Sequence, residues 1–438
     1  MSQPCGIVGA VSAMRVPRVV RPFRWGQYRL LIGALSLSLF GSGMWLIAVV
    51  FQVRELGGGP TDLSFIATGN AVGLIAAVLI GGVLADRIPQ KRILMVVEIT
   101  KAVAVAVVAA LALSGVLEFW HLAVVSLVLG AADGFFYPAY SAMLPSILPA
   151  DDLLAANGFE GVLRPALLQA AGPALASTII AAFAPSLVFV VIAVAMLLGV
   201  GVLLFLRLTP LRRELEVSDA HPLRQMFGDL RGGFAYMVRT PWLLATLLYA
   251  LIIVLLIMGP IEVLLPFAVS DQTGGGAVEF AIALGAFGLG GVIGSVAIAS
   301  LPLPRRYLTV MNLLWGAGSL PLVVIGLTDQ LWVMVVALFI VGFSYQAATV
   351  IWGTLLQRRV PPELLGRVSS LDFFVSLAFM PISMALAGPV GVLIGFGPVF
   401  VVAGAAPVFL AVAAILIARM PKDEIEHPLD PPKAPLEG

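Results

Sequence analysis

The chain has 438 residues, of which 60% are hydrophobic and only 11% are charged, and its formal net charge is +1. A soluble globular protein is about 25% charged, because its surface faces water. The composition therefore excludes an ordinary soluble domain and predicts a protein embedded in a membrane. The near-neutral balance gives no reason to expect a nucleic-acid partner. The single cysteine, Cys5, can form no intrachain disulfide and supplies no metal-ligand cluster.

The N-terminal segment, residues 1–29, is polar and rich in arginine, and an apolar run follows it. That run is long enough to span a membrane and lacks a small-residue cleavage site in a polar flank, so we interpret it as a retained first helix rather than a signal peptide. Met1 and Met14 are both compatible with a translation start. We expect this segment to be cytoplasmic.

Twelve apolar runs are long enough to cross the roughly 30 Å of a bilayer core, which takes about 20 helical residues. They cover residues 30–53, 63–85, 93–115, 119–145, 154–182, 186–206, 242–267, 278–301, 307–327, 331–356, 366–391 and 394–418. Glycine and proline inside such runs are tolerated, because neighbouring helices satisfy the freed backbone groups. The predicted fold class is an all-α membrane protein with twelve transmembrane helices.

The distribution of basic residues predicts the orientation of these helices. All but three of the 25 lysines and arginines lie in the terminal segments or in the loops after even-numbered runs; the exceptions are Arg54, Lys101 and Arg164. Lysine and arginine in short loops stay on the cytoplasmic side of a membrane. We therefore expect both termini to be cytoplasmic.

The longest polar connection, residues 207–240, separates a first six-helix half (30–206) from a second one (241–419). Within it, residues 221–239 carry apolar side chains at helical spacing. This predicts an amphipathic helix, either lying on the cytoplasmic membrane surface or packed on the bundle. The proline-rich tail, residues 420–438, is predicted to be disordered.

The two halves also repeat each other in sequence. Residues 130–153 match residues 342–365 in order and type. Parallel six-helix repeats with a binding site between them, near the middle of the bilayer, are typical of one class of transporters. The pattern therefore predicts two pseudo-symmetric halves.

A short loop between the second and third runs, residues 81–94, reads Gly-Gly-Val-Leu-Ala-Asp-Arg-Ile-Pro-Gln-Lys-Arg-Ile-Leu. It resembles the loop signature of the major facilitator superfamily. The residues that resemble it, with the family-like pair that opens the eleventh run, are Gly82, Asp86, Arg87, Lys91, Arg92, Gly366 and Arg367. The resemblance implies a conformational switch in which Asp86 meets the positive N-terminal end of a neighbouring helix. A topology signal alone is the alternative interpretation.

Residues 130–156 resemble the branch of that superfamily that holds macrolide-efflux and siderophore-exporter proteins. Gly172 and Pro173 in the fifth run resemble a degraded antiporter signature, although ordinary close packing of small residues explains them equally well. The resemblance implies a monomeric exporter of lipophilic small molecules in the bacterial inner membrane. It also implies coupling to protons, contact with membrane lipids and no cofactor.

Ionisable residues within a span are costly and usually face the bundle interior or a wet cavity. Those singled out here are Glu98, Lys101, Asp133, Glu160, Arg164, Glu262 and Asp372. Two pairs, Glu98 with Lys101 and Glu160 with Arg164, have the spacing that lets each neutralise itself on one helix face. Glu98 and Glu160 are therefore minor candidates for proton coupling.

Asp133 is the first candidate for proton coupling, because no charged neighbour lies on its own helix and its depth matches that of Lys101 and Arg164. A structural salt bridge to either base is the alternative. Glu262, near the outer end of the seventh run, is expected to attract a cationic drug or exchange a proton, unless it is merely a solvated acid. Asp372 is expected to anchor a polar stripe near the cytoplasmic gate.

Aromatic and amide side chains at mid-span suit a cavity for lipophilic, variable ligands. The candidates are Trp45, Asn70, Phe136, Tyr137, Tyr345 and Gln346. Simple helix packing is the alternative for each aromatic ring.

The sequence favours a transporter over an enzyme. The three histidines have no metal-ligand spacing and no phosphate-binding loop is present, so neither a metal site nor ATP is expected. We expect proton-driven multidrug export by alternating access. A narrow-substrate exporter of a siderophore or lipid and a non-transporting membrane receptor or scaffold stay open as alternatives.

Overall fold

The structure is a computed structural model that describes residues 18–207 and 234–429. Within these ranges the chain is almost entirely helical and contains no β-strand. Twelve helices are long and apolar enough to cross a membrane, which confirms the predicted fold class. Large apolar side chains such as Phe409, Leu416 and Ile417 are exposed on the outside of the bundle, as a lipid-facing surface requires.

The six helices of the first half are α1 (Gly26–Glu55), α2 (Pro60–Arg87), α3 (Gln90–Leu113), α4 (Phe119–Ile147), α5 (150–182) and α6 (Pro185–Leu204). Those of the second half are α7 (Pro241–Thr273), α8 (Ala277–Ser300), α9 (Tyr307–Ile325), α10 (Leu331–Arg359), α11 (362–394) and α12 (Phe396–Ile417). A short helix, α13 (Met420–Glu426), follows them. The end of the bundle that holds Gly26 and Ile417 is called the terminal face, and the other end the distal face.

Several of the long helices are irregular where proline interrupts the hydrogen-bond ladder, because proline has no N–H to donate. After Pro165, α5 passes through a π-helical turn, Ala166–Ala171, and α7 contains another, Pro260–Leu264. In α11, Phe379 separates two helical pieces just before Pro381. Such π-helical turns are frequent at functional sites, and both turns here face the space between the halves.

Equivalent contacts in the two halves show the repeat in three dimensions. A Cβ atom added to Gly130 of α4 would lie 1.9 Å from the carbonyl oxygen of Asn70 in α2, and one added to Gly342 of α10 would lie 2.0 Å from that of Phe287 in α8. Both helix pairs therefore need glycine for their close approach. These two glycines begin the matched sequence segments, so the sequence repeat is a structural repeat.

Among the described residues, the halves contact each other mainly toward the distal face. There α2 packs against Met380–Ile394 of α11, and α5 packs against α8 chiefly through its π-helical turn and the residues after it. The Arg54 guanidinium donates a hydrogen bond to the Ser270 hydroxyl at 2.8 Å. The backbone N–H of Gly388 donates one to the Ser64 hydroxyl at 2.7 Å. These contacts close the space between the halves at the distal face.

The tail differs from its prediction over residues 420–429, which are ordered by contacts with the second half. The carboxylate of Glu424 is buried and accepts hydrogen bonds from the backbone N–H (2.7 Å) and hydroxyl (3.0 Å) of Thr309, in the first turn of α9. Asp423 forms an ion pair with Arg359 at 2.7 Å. The prediction of disorder was wrong here because it weighed proline content without these tertiary contacts.

Most of the amphipathic helix predicted over residues 221–239, and the choice between Met1 and Met14, lie outside the described residues. Residues 234–239 are helical. Met237 is buried there, and the Tyr236 hydroxyl donates a hydrogen bond to the carbonyl of Arg359 at 3.3 Å. This end of the connection therefore packs on the second half.

Candidate functional site

A cavity of about 500 Å³ lies between the halves and is lined by both of them. Of the six residues predicted to contact a substrate, the four that line it are Trp45, Asn70, Tyr345 and Gln346. The ring of Trp45 packs against Phe189 with 5.4 Å between centroids, and the Asn70 amide donates to the carbonyl of Ser126 at 3.3 Å. Both side chains are thus held in place from behind the cavity wall.

Neither Phe136 nor Tyr137 lines this cavity. Phe136 is buried in the first half, where its ring stacks with Tyr140 at 6.1 Å, so its prediction as a substrate contact was wrong. Tyr137 lies beneath the Arg164 guanidinium, 3.9 Å from the ring centroid. One residue of sequence turns a helical side chain by about 100°, which separates these neighbours.

The cavity wall also contains residues that sequence reasoning missed. Three thioethers line it, from Met196, Met258 and Met380, and the amide of Gln169 enters from the π-helical turn of α5. Methionine fills irregular spaces and adapts to different ligands. Pro165 was the available signal for Gln169, because a proline in a span marks a local change of helix geometry.

An ionic network lies on the first-half side of the cavity. Lys101 of α3 is buried and its Nζ lies 2.8 Å from Oδ1 of Asp133 in α4, whose side chain is 39% exposed toward the cavity. The ammonium also donates to the Ser38 hydroxyl of α1 at 3.0 Å. That hydroxyl donates in turn to Oε1 of Glu98 at 2.7 Å.

The expected direct pairing of Glu98 with Lys101 is not what the structure has. Glu98 is completely buried and reaches Lys101 only through Ser38, because the ammonium points across to α4. The second oxygen of Glu98, Oε2, is buried without a hydrogen-bond partner. The i,i+3 spacing identified the right neighbours but not the direction of the lysine side chain.

The second pair has the expected geometry. Nε of Arg164 donates to Oε1 of Glu160 at 2.6 Å on the same face of α5. Arg164 also lines the cavity that Asp133 and Lys101 line, so the three residues expected at one depth do share one space.

Glu262 lies within the π-helical turn of α7 and lines the same cavity. The sequence placed it near the outer end of a span, but α7 continues for roughly three further turns to Thr273, so the side chain lies deeper than expected. In the part of the chain that the structure describes, its carboxylate has no ion pair or hydrogen bond. Its neighbours along the wall, Ile261 and Met258, are apolar.

Asp372 lies outside this cavity, on the terminal-face part of α11. Its carboxylate accepts a hydrogen bond from the Trp352 indole at 3.1 Å and from the Ser376 hydroxyl at 3.3 Å. The indole of Trp352 packs at right-angle geometry near Trp242 of α7. Asp372 therefore joins α11 to α10 through a direct contact.

The predicted switch falls largely on side chains outside the described ones, namely those of Gly82, Asp86, Arg87, Gly366 and Arg367. Their backbones lie in the last turns of α2 and the first turns of α11. Lys91 donates to the carbonyl oxygens of Leu204, at 2.9 Å, and Leu206, at the C-terminal end of α6. Arg92 is exposed. Gly172 and Pro173, just after the π-helical turn of α5, are buried against α1.

Twelve helices in two repeated six-helix halves around a shared cavity are the architecture of a membrane transporter. The chain belongs to the Major Facilitator Superfamily, whose sequence model matches residues 30–378. Among the described residues, no group of three or more His, Cys, Asp or Glu side chains could hold a metal ion.

Relatives of this chain include macrolide and multidrug efflux proteins. The chain is 24% identical to macrolide efflux protein A of Streptococcus pyogenes over 358 residues, which cover 80% of this chain and 86% of the relative. It is 26% identical to the multidrug efflux pump Tap of Mycolicibacterium fortuitum over 405 residues, covering 89% and 96%. Among solved structures, the nucleoside transporter NupG matches with a TM-score of 0.68 at 12% identity, covering 89% of this chain and 98% of that one, and shows the fold alone.

Proposed function

We propose that this protein is a proton-coupled exporter of lipophilic small molecules, including antibiotics and dyes, that works by alternating access. The observation that carries the proposal is the cavity between the halves. Its wall is mostly apolar and adaptable, with three methionines, yet it presents two carboxylates from opposite halves, Asp133 and Glu262. Apolar walls with a few polar groups suit varied lipophilic ligands. The names of the relatives, a macrolide and a multidrug efflux protein, support the same substrate class.

Alternating access is proposed from where the halves touch. In the part of the chain that the structure describes, their contacts are concentrated toward the distal face, which supports the terminal-face side as the route into the cavity. Rocking the six-helix halves (30–206 and 241–419) about the cavity would close its terminal-face side and open it at the distal face. The basic residues at the terminal face support a cytoplasmic location for both termini, in a bacterial inner membrane. The protein is proposed to act as a monomer surrounded by lipid.

The two carboxylates have different surroundings and therefore different proposed roles. Asp133 is paired with a buried lysine, so a change in its charge alters a network that joins α1, α3 and α4. Glu262 has no compensating base within the described part of the chain. Its side chain is exposed to the cavity, where a proton or a cationic substrate can neutralise it. Asp133 is the proposed coupling residue, and Glu262 is proposed to take part in substrate or proton binding.

The test is efflux of a lipophilic cationic dye from cells that express the chain, with and without a protonophore. We expect efflux that collapses with the proton gradient. Asp133→Asn should abolish gradient-driven efflux at normal protein level, whereas Asp329→Asn, an exposed loop variant, should leave it unchanged.

Efflux by Asp133→Asn at the wild-type rate would show that Asp133 is structural. Membrane-localised wild-type protein that moves no dye would overturn multidrug export and favour an exporter with a narrow endogenous substrate. Proteoliposomes without flux of any substrate under any gradient would favour a receptor or scaffold.

A further inference from the structure

The buried lysine of the ionic network has two carboxylates within its reach, and only one of them is in direct contact. Lys101 forms its ion pair with Asp133, which faces the cavity. On its other side, the Ser38 hydroxyl accepts from Lys101 at 3.0 Å and donates to Glu98 at 2.7 Å. One hydroxyl therefore separates the lysine from its second potential counter-ion.

Glu98 lies in an environment that does not fully satisfy the hydrogen-bonding capacity of its carboxylate. It is fully buried, and its Oε2 has no hydrogen-bond partner. A Cβ atom added to Gly199 of α6 would lie 3.7 Å from that oxygen, so the carboxylate points into an apolar helix interface. Burying a carboxylate that is not fully satisfied is costly, and removing one partner of a buried ion pair is costly too.

The charged groups around Lys101 come from three helices. Glu98 lies on its own helix, α3, Asp133 on α4, and Arg164 on α5 across the shared cavity. At this depth α1 presents the hydroxyls of Ser38 and Ser42, and α6 contains no charged residue. If Asp133 became neutral, Glu98 would be the only acid in this set that could balance the lysine.

We infer that Lys101 exchanges its counter-ion during transport: it pairs with Asp133 while that carboxylate is ionised, and with Glu98 once Asp133 has taken a proton from the cavity. Lys101 keeps its own proton and Glu98 stays ionised throughout, so one proton enters the network, on Asp133, and the ammonium moves from α4 toward α1 and α3. Glu98 and Ser38 are positioning residues, because they contact neither substrate nor the entering proton. The role in transport rests on the proposed proton coupling, whereas the exchange of partners does not.

A double-mutant cycle on thermal unfolding of the purified protein tests the exchange independently of transport. Glu98→Gln and Asp133→Asn should each be tolerated, because the other acid can hold Lys101. The double variant leaves the buried charge of Lys101 uncompensated. Its Tm should therefore decrease by at least about 5 °C more than the two single decreases added together. Adding Lys101→Met to the double variant should recover this additional decrease in Tm. Additive single effects would overturn the inference.

If Glu98→Gln does not accumulate, Ser38→Ala answers the same question. It should lower the Tm more in the Asp133→Asn background, where Lys101 depends on Glu98, than in the wild type. Equal losses in both backgrounds would overturn the exchange.

In proteoliposomes, Glu98→Gln should move the pH midpoint of dye transport to more acid values by about one pH unit. In this variant, protonating Asp133 would leave Lys101 without a counter-ion, so the protonation becomes less favourable. Glu118→Gln, an exposed variant near the distal face, should keep the wild-type profile. An unchanged profile for Glu98→Gln would assign Glu98 a purely structural role. Wild-type protein without proton-driven transport would refute the proposed function, and the unfolding cycle would still decide the exchange.

Discussion

Glu262 and Asp133 illustrate how the surroundings of a carboxylate decide what it can do. Both line one cavity, but Asp133 has a lysine at 2.8 Å and Glu262 has no ionic or hydrogen-bonded partner among the described residues. A paired carboxylate offers little net charge to a ligand. An unpaired carboxylate that is exposed to the cavity keeps its charge available to a cation, because no neighbouring base offsets it. Glu262 is therefore the better site for a cationic part of a substrate.

We expect Glu262→Gln to weaken binding of a monocationic dye about tenfold, which corresponds to about 1.4 kcal/mol, and to leave a neutral lipophilic ligand nearly unaffected. The variant keeps the size of the side chain and removes its charge. Equilibrium binding to purified protein, followed by dye fluorescence, measures both affinities. Glu279→Gln, in the first turn of α8, serves as the matched control. Equal weakening of both ligands would show that Glu262 does not select for charge.

At this scale the sequence predicted which residues lie inside the membrane, but only partly where they point. Depth follows from counting residues along a helix, and so Lys101, Asp133 and Arg164 were correctly expected in one space. Rotation depends on packing. Phe136 therefore turned out to be buried core, and Gln169 was missed because a π-helical turn changed the helix geometry around it.

At the scale of elements, α13 contacts both α9 and α10 at the terminal-face end of the second half. Asp423 pairs with Arg359 at the end of α10, and the guanidinium also donates to the Tyr307 hydroxyl at 2.7 Å. Glu424 accepts hydrogen bonds at the start of α9, where a carboxylate is favourably placed at a helix N-terminus. Seven residues are too few for a stable isolated helix, so these contacts, rather than local propensity, order α13.

Glu424→Ala should lower the stability of the protein by about 1–2 kcal/mol, because it removes a helix cap and leaves the Thr309 N–H unsatisfied. Thermal unfolding in detergent, followed by tryptophan fluorescence, reports the change. Glu426→Ala on the same helix is the control, since its side chain is exposed and pairs only with Lys422 at 3.6 Å. Equal Tm values for the two variants would contradict a stabilising role for the contacts between Glu424 and α9.

The helices themselves were the most predictable feature, for a physical reason. A span must satisfy every backbone group internally and bury about 20 apolar residues, and both demands are visible in a sequence. The ends were less predictable, as α7 shows by running to Thr273, beyond the apolar run. Contacts between distant elements, such as those of α13, leave no such local mark.

At the scale of the whole molecule, contacts at the distal face that join the two halves include those of Arg54 and of Gly388. Arg54 of α1 reaches the end of α7, with its guanidinium 2.8 Å from the Ser270 hydroxyl and 4.9 Å from the ring centroid of Phe267. The backbone N–H of Gly388 in α11 donates a hydrogen bond to the Ser64 hydroxyl in α2. The proposed alternating access would require these contacts to break together, and their strength would then set the balance between the two states.

Gly388→Ala tests that balance. The added Cβ would lie 2.3 Å from the carbonyl oxygen of Pro60, so α2 and α11 must separate at the distal face. Overpacking of this kind costs about 1–3 kcal/mol. The variant should therefore favour the state that is open at the distal face by about fivefold or more.

The measurement uses Val49→Cys in a Cys5→Ser background, because Val49 lines the cavity and Cys5 is the only native cysteine. A membrane-impermeant maleimide applied from the distal side should label this cysteine faster when Gly388→Ala is present. Gly353→Ala is the matched control, since an added Cβ there meets no atom within 4 Å. Faster labelling in Gly388→Ala alone would identify the α2–α11 contact as the distal gate. Equal labelling of the two folded variants would mean that this contact is static and that the halves separate elsewhere.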